Sequence, residues 1–146
     1  IQSAPLGEVP FLFVVAPDHP LAGVSGAITD ELLMPYRMIA LADSAQQMTP
    51  MTIGLLPGQD VLTVPSMALK IEAQIRGLGC GYLPEPLIRG ELKAGRLVEK
   101  LRMPQRRPAH LSYAWRVSGR EPGPAQRWWL ERLASPRTQN ALIGAN

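Results

Sequence analysis

Residues 11–16, Phe-Leu-Phe-Val-Val-Ala, form an unbroken apolar run closed by Pro17, the pattern of a strand buried on both faces in a mostly parallel sheet. A second run, residues 36–41, follows Pro35, and a shorter one covers residues 61–64. Then the period changes. Met67, Ile71, Ile75 and Leu78 recur at helical spacing, with Lys70, Glu72, Gln74 and Arg76 mostly off that stripe, so the pattern predicts an amphipathic helix with a polar outer side. Pro65 and Ser66 punctuate its start, and Gly77 its end, because glycine takes a left-handed C-terminal conformation without a Cβ penalty. Residues 79–83, Gly-Cys-Gly-Tyr-Leu, follow as a strand whose small residues let it pass close beneath a helix. A helix running directly into a buried strand belongs to an α/β sheet.

The remaining segments are shorter. Thr29 caps a brief helix at residues 30–34, with Asp30 and Glu31 in its first turn. Residues 45–54 fit neither period and read as a loop. A helix is expected over residues 85–93, Pro86 being tolerated in the first turn and Gly95 standing past the end, and then a short edge strand at 96–98. Residues 101–108, with three arginines and two prolines, read as a linker. Leu111, Tyr113, Trp115 and Val117 alternate with polar neighbours, predicting a half-exposed strand. Residues 125–134 form an amphipathic helix placing Trp128, Trp129, Leu130 and Leu133 inward. Residues 1–10 show no period, and the chain end reads as a frayed tail.

Composition adds limits. With 46% hydrophobic and 18% charged residues, the 146-residue chain is globular, and 15 prolines and 13 glycines imply short elements with frequent turns. The single cysteine, Cys80, cannot form an internal disulfide, which favours a reducing, cytoplasmic setting. His19 and His110 stand far apart, without zinc-site spacing, and no apolar run is long enough to span a bilayer. No cofactor or metal is expected. Up to Ile88 there are 3 basic and 8 acidic residues, and from Arg89 onward 12 basic and 4 acidic. The arginines are dispersed over loop, strand and helix, so this basic half reads as a solvated or subunit-facing surface and not as a nucleic-acid groove.

Three segments, in order and in register, resemble the effector-binding domain of LysR-type transcriptional regulators. The first is Val14-Val15-Ala16-Pro17-Asp18-His19-Pro20-Leu21-Ala22. The second is Ala73-Gln74-Ile75-Arg76-Gly77-Leu78-Gly79-Cys80-Gly81-Tyr82-Leu83-Pro84, similar to the family's helix, Gly-Leu-Gly and strand ending in Leu-Pro. The third is Glu91-Leu92-Lys93-Ala94-Gly95-Arg96-Leu97-Val98, followed by a returning strand and an aromatic helix. The resemblance implies an α/β fold like a type 2 periplasmic binding protein: a lobe with a mixed sheet flanked by helices, plus a strand and helix returning to an incomplete first lobe. It assigns residues 1–10 to an inter-lobe crossing, 11–104 to lobe two, 105–109 to the return crossing, 110–134 to the strand and helix of lobe one, and 135–146 to a tail. The family's helix-turn-helix, its linker helix and the start of lobe one are expected outside this stretch. Without those partners, Leu111, Tyr113, Trp115 and the two tryptophans of the last helix would expose apolar surface, which implies self-association as a dimer or tetramer.

The resemblance also implies a small-molecule effector between the lobes, at strand carboxyl ends where helix N-termini present free N–H groups. Pro65, Ser66 and Met67 fit that geometry, and so do Asp43 and Ser44 after the second strand. Ser66 serves equally as an ordinary N-cap, Met67 fits core as well as an apolar pocket, and Asp43 argues for an amine-bearing ligand or a simple turn. Gly7, near the first crossing, offers only backbone. The glycines at 77, 79 and 81 do not make a phosphate loop, because such loops follow a strand and open a helix, the reverse of the order here. The resulting expectation is an effector-sensing, non-enzymatic part of a transcription regulator that meets DNA only through a separate module. The alternatives are a stand-alone solute-binding protein and a small enzyme using His19 or His110 as base.

Overall fold

A computed structural model of the chain describes residues 1–42, 54–119 and 121–145. The loop expected at residues 45–54 therefore lies, except for Gly54, outside the described residues. Along the chain the elements are β1 (Gln2–Val9), β2 (Phe11–Val15), α1 (Asp30–Leu33), β3 (Met38–Leu41), β4 (Val61–Val64), α2 (Met67–Ile75), β5 (Gly81–Pro84), α3 (Glu85–Lys93), β6 (Val98–Glu99), β7 (Ala109–Trp115), α4 (Pro124–Ala134) and α5 (Pro136–Ile143). They fall into two units: Ile1–Pro10 with Arg107–Asn146, and Phe11–Arg106.

In the Phe11–Arg106 unit, β2 lies between β5 and β6 and is antiparallel to both. β3 and β4 pair in parallel, and a parallel Met38–Cys80 bridge joins β3 to the start of β5. The strands thus run β4-β3-β5-β2-β6 in a mixed sheet. Burial of residues 11–16 was expected and is found from Phe13 onward: Phe13, Val14, Val15 and Ala16 are buried, whereas Phe11 and Leu12 are half-buried. The mostly parallel surroundings are not. An unbroken apolar run reports cover on both faces of a strand and carries no information about its direction. One face is covered by Leu21, Ile28 and Leu33 against Phe13, Val15, Met38 and Tyr82. On the other, Met67, Ile71, Ile75 and Leu92 from α2 and α3 pack over Val14, Leu83, Ile88 and Leu97.

The helix ends follow their punctuation. At the end of α2, Gly77 takes φ +72°, its N–H donates to Gln74 O and that of Leu78 to Ala73 O, which closes the last turn in a Schellman motif. Gly95 at φ +73° repeats this after α3, with Arg96 N–H donating to Glu91 O. The stripe on α2 differs from expectation at three places. Leu78, beyond the cap, is 49% exposed, whereas Lys70 and Gln74 are buried. Ser66, Lys70 and Gln74 repeat every fourth residue and run directly beside Met67, Ile71 and Ile75, so the buried face is two residues wide. The proposed linker at 101–108 also begins inside the fold. Arg102 pairs with the Asp30 carboxylate and donates to Ile28 O at 3.1 Å, so its charge is buried and partnered.

In the other unit, β1 and β7 form an antiparallel ribbon from Gln2↔Trp115 to Val9↔Ala109, with an irregularity between Pro5 and Gly7. Gln2–Val9 are therefore an ordered strand and not irregular; β1 alternates too weakly to show a period, and its pairing with β7 supplies the order. The expected tail is the helix α5, capped by Gly144 at φ +70° and anchored by buried Ile143. Trp128 and Trp129 do not point inward: they are 50% and 56% exposed, and α4 buries no residue. Two strands and two helices offer too little surface to cover both rings.

Candidate functional site

The parallel register pairs Leu41 with Val64, so β3 and β4 end side by side, and the Ala42 N–H donates to Val64 O at 2.8 Å. From that edge Pro65 and Ser66 lead into α2. Ser66 Oγ accepts from Leu69 N–H at 3.2 Å, and its carbonyl accepts from Lys70 N–H at 3.0 Å. The N–H groups of Met67 and Ala68, first in the helix, have no intrahelical acceptor and carry the positive end of the dipole. Met67 is half-buried and packs against the Val14–Leu83 cluster, and Pro65 is exposed. Asp43 and Ser44 lie outside the described residues. Gly7 sits in the β1–β7 ribbon at φ +151°, where a Cβ would come within 2.5 Å of Ile143 Cδ1, so packing alone accounts for its missing side chain.

The residues that sequence reading passed over lie one turn along the same helix. Lys70 Nζ donates to Tyr82 O at 2.7 Å; burial, reinforced by the positive charge of Arg106, lowers its pKa to about 8. Gln74 Nε2 donates to both Val14 O and Gly81 O. The Arg106 guanidinium stands 5.5 Å from the centre of the Tyr82 ring, beside a cavity of about 330 Å³ whose walls include Leu55, Leu56, Tyr82, Gln105 and Arg106. The signal available in the sequence was the four-residue repeat of Ser66, Lys70 and Gln74 immediately beside the apolar stripe.

Among the described residues, His19, His110 and Cys80 are the groups the sequence singles out for covalent or acid–base chemistry. His19 Nδ1 accepts from Leu21 N–H at 3.0 Å within its own turn, and burial, opposed by Asp18, lowers its pKa. His110 is exposed beside Glu8 at 3.1 Å. Cys80 is fully buried, and burial pushes its thiol up to about 12, which leaves it unreactive near neutrality. Among the described residues no group of three His, Cys, Asp or Glu side chains is placed to hold a metal.

Comparison with known proteins decides the family. The sequence description of the LysR substrate binding domain matches residues 1–135. The chain belongs to that family. This LysR domain is 40% identical over 115 residues to the HTH-type transcriptional activator AllS of Salmonella typhimurium, the match covering 79% of the chain and 37% of the activator. It thus spans little more than a third of the length of that relative. Among solved structures, a putative transcriptional regulator from Vibrio parahaemolyticus superposes with a TM-score of 0.64 at 18% identity, covering 99% of this chain and 67% of that one. The regulatory domain of CcmR from Synechocystis PCC6803, in complex with 2-PG, superposes with a TM-score of 0.61 at 18% identity, covering 90% and 64%. These likenesses establish the fold of LysR regulatory domains, the mixed α/β lobe described above, with a second unit built of strand and helix.

Proposed function

We propose that this LysR domain is the effector-sensing part of a transcription regulator, holding a small metabolite at the carboxyl edge of β3 and β4 and thereby biasing how a separate helix-turn-helix module meets DNA. The observation that carries this reading is the start of α2. A capped helix whose first two N–H groups have no intrahelical acceptor opens at the shared end of two parallel strands, the place where open α/β sheets receive ligands, in a chain of this family. Pro65, Ser66 and Met67 form its described wall, and Asp43 and Ser44 follow the neighbouring strand in sequence. The site acts by shifting a conformational equilibrium and carries no reaction, in keeping with the occupied state of His19 and Cys80.

The complete regulator acts in the cytoplasm as a homo-oligomer. No helix among the described residues is long and apolar enough to cross a membrane, and the half-exposed Trp128 and Trp129 on α4 give an apolar surface suited to self-association. The test is calorimetric screening of metabolites against the full-length regulator, with promoter binding measured in parallel. A regulator that responds normally while binding no small molecule would refute the sensing reading. Sedimentation of the chain tests the surface: concentration-dependent association that Trp128→Ala and Trp129→Ala together abolish is expected.

A further inference from the structure

On the sheet face opposite α2 lies a cavity with an uneven charge. The Tyr82 ring packs there with Phe13, Leu21, Ile28 and Leu33, whereas α2 covers Val14 and Leu83 on the other face. Beside the ring a cavity of about 330 Å³ is walled by Asp30 at the start of α1, by Leu55 and Leu56 ahead of β4, and by Arg102 and Arg106 beyond β6. Arg102 is only 8% exposed; its Nη2 meets the Asp30 carboxylate, and its Nη1 donates to Ile28 O at 3.1 Å and to Met103 O. Its Nε is buried without a partner among the described residues. Arg106 differs from it. That side chain is exposed, stands over the Tyr82 ring at 5.5 Å from its centre, and belongs to none of the ion pairs found among the described residues. Burial raises the pKa of the Tyr82 phenol, the charges of Arg102 and Arg106 lower it and Asp30 raises it, so the hydroxyl lies within electrostatic reach of all three.

We infer that this cavity is a second ligand site, for a short-chain monocarboxylate, with Arg106 and the Tyr82 hydroxyl receiving the carboxylate and Leu55 and Leu56 the aliphatic tail. The charges decide the class. Arg102 and Asp30 cancel each other, which leaves one guanidinium without a counter-charge, so a single negative charge balances the walls. A phosphate dianion would bring a second charge against Asp30. Two coplanar carboxylate oxygens match the fork of a guanidinium, and a phenol supplies a further donor. Leu55 and Leu56 are half-buried against the Phe13–Tyr82 cluster, so an alkyl chain laid on them removes apolar surface from water. The volume is at the lower end for small-molecule sites and suits a ligand of a few carbons. This site goes beyond the sensing function proposed above and does not rest on it, because it lies on the other face of the sheet from α2. Arg106 ends the Phe11–Arg106 unit, so an anion held there anchors the segment by which the chain leaves that unit.

The test observes Tyr82 directly. The chain contains three tyrosines, Tyr36, Tyr82 and Tyr113, so ¹³C-tyrosine labelling gives three sets of ring NMR signals, two of them controls. Acetate, propionate and butyrate are expected to move the Tyr82 signal, each added methylene tightening binding roughly threefold, while propionamide and butyramide leave it in place. Arg106→Gln, at an exposed position, is expected to weaken the carboxylates roughly tenfold or more without unfolding the chain. The assignment is overturned if none of the three carboxylates moves Tyr82, if butyramide moves it as far as butyrate does, if propylammonium or inorganic phosphate moves it and they do not, or if Arg106→Gln binds them unchanged. Ser66→Asp, at the start of α2, is expected to bind butyrate as wild type does. A loss of butyrate binding in that variant would merge the two sites and end the claim of a second one.

Discussion

The side-chain amide of Gln74 donates to the carbonyl oxygen of Val14 at 3.2 Å, across 60 residues of sequence. The same Nε2 donates to Gly81 O at 3.1 Å, so one fully buried residue fastens α2 to the neighbouring strands β2 and β5. Both carbonyls would be left without this donor if the amide were replaced. Gln74→Met, of similar length, is expected to destabilise the chain by about 1–3 kcal/mol, and Gln74→Glu by more, because a carboxylate would face two carbonyl oxygens in a dry site. Urea unfolding checks this, as a lower midpoint with an unchanged slope.

Lys70 makes stability depend on pH in an unusual direction. Its folded pKa of about 8 lies below its ordinary 10.5, so between those values the unfolded chain holds a proton that the folded chain has released. Stability therefore rises with pH across that window. Below about pH 8 both states are protonated, and the cost of the buried charge is felt in full; above about 10.5 it is gone. Wild type is expected to gain up to a few kcal/mol relative to Lys70→Met between pH 8 and 10.5. Paired unfolding curves of the two proteins at each pH cancel contributions from Tyr82 and Cys80. A difference that is flat with pH would show that Lys70 titrates normally.

Much of the Phe11–Arg106 unit was legible because its signals are local. Thr29 and Ser66 cap the helices they precede, and Gly77 and Gly95 end theirs, each through a conformation or side chain that the residue type itself determines. What the sequence could not show depended on partners distant in the chain. The direction of β2 is set by residues 81–84 and 98–99, and the burial of Lys70 by a carbonyl on β5. The strand character of residues 2–9 appears only when residues 109–115 lie beside them. Of the proposed site, the helix start is a local feature that Pro65 and Ser66 announce, whereas the bond from Lys70 to Tyr82 O beside it is tertiary.

Glycines separate close packing from mere helix content. A Cβ on Gly79 would sit 2.7 Å from both Arg37 O and Ile39 Cδ1, and the backbone oxygen cannot give way without disturbing the bridge between β3 and β5. Gly79→Ala is expected to cost about 1–3 kcal/mol by overpacking. Gly90, inside α3 with open space around it, is the opposite case, and Gly90→Ala is expected to stabilise by about 0.4–1 kcal/mol through the entropy of the unfolded chain. Thermal melts of the two variants should shift in opposite directions. If both moved down, the open space at Gly90 would be wrong.

Ser66 has two roles to be separated, and its substitutions do so. Alanine removes the oxygen that accepts from Leu69 N–H, which is expected to cost about 1 kcal/mol, while the Met67 and Ala68 N–H groups stay available. Aspartate keeps a cap oxygen and places a negative charge at the positive end of the helix dipole, so its stability should equal or exceed that of wild type. The same charge lies where an anionic effector is to be held. Stability should therefore rank Asp and Ser above Ala, whereas affinity of the full-length regulator for a carboxylate effector should rank Ser above Ala and Ala above Asp. Calorimetric binding beside urea unfolding reads both orders. If affinity followed stability, with Ser66→Asp binding as well as wild type, Ser66 would be a helix cap and nothing more, and the ligand would have to lie away from the start of α2.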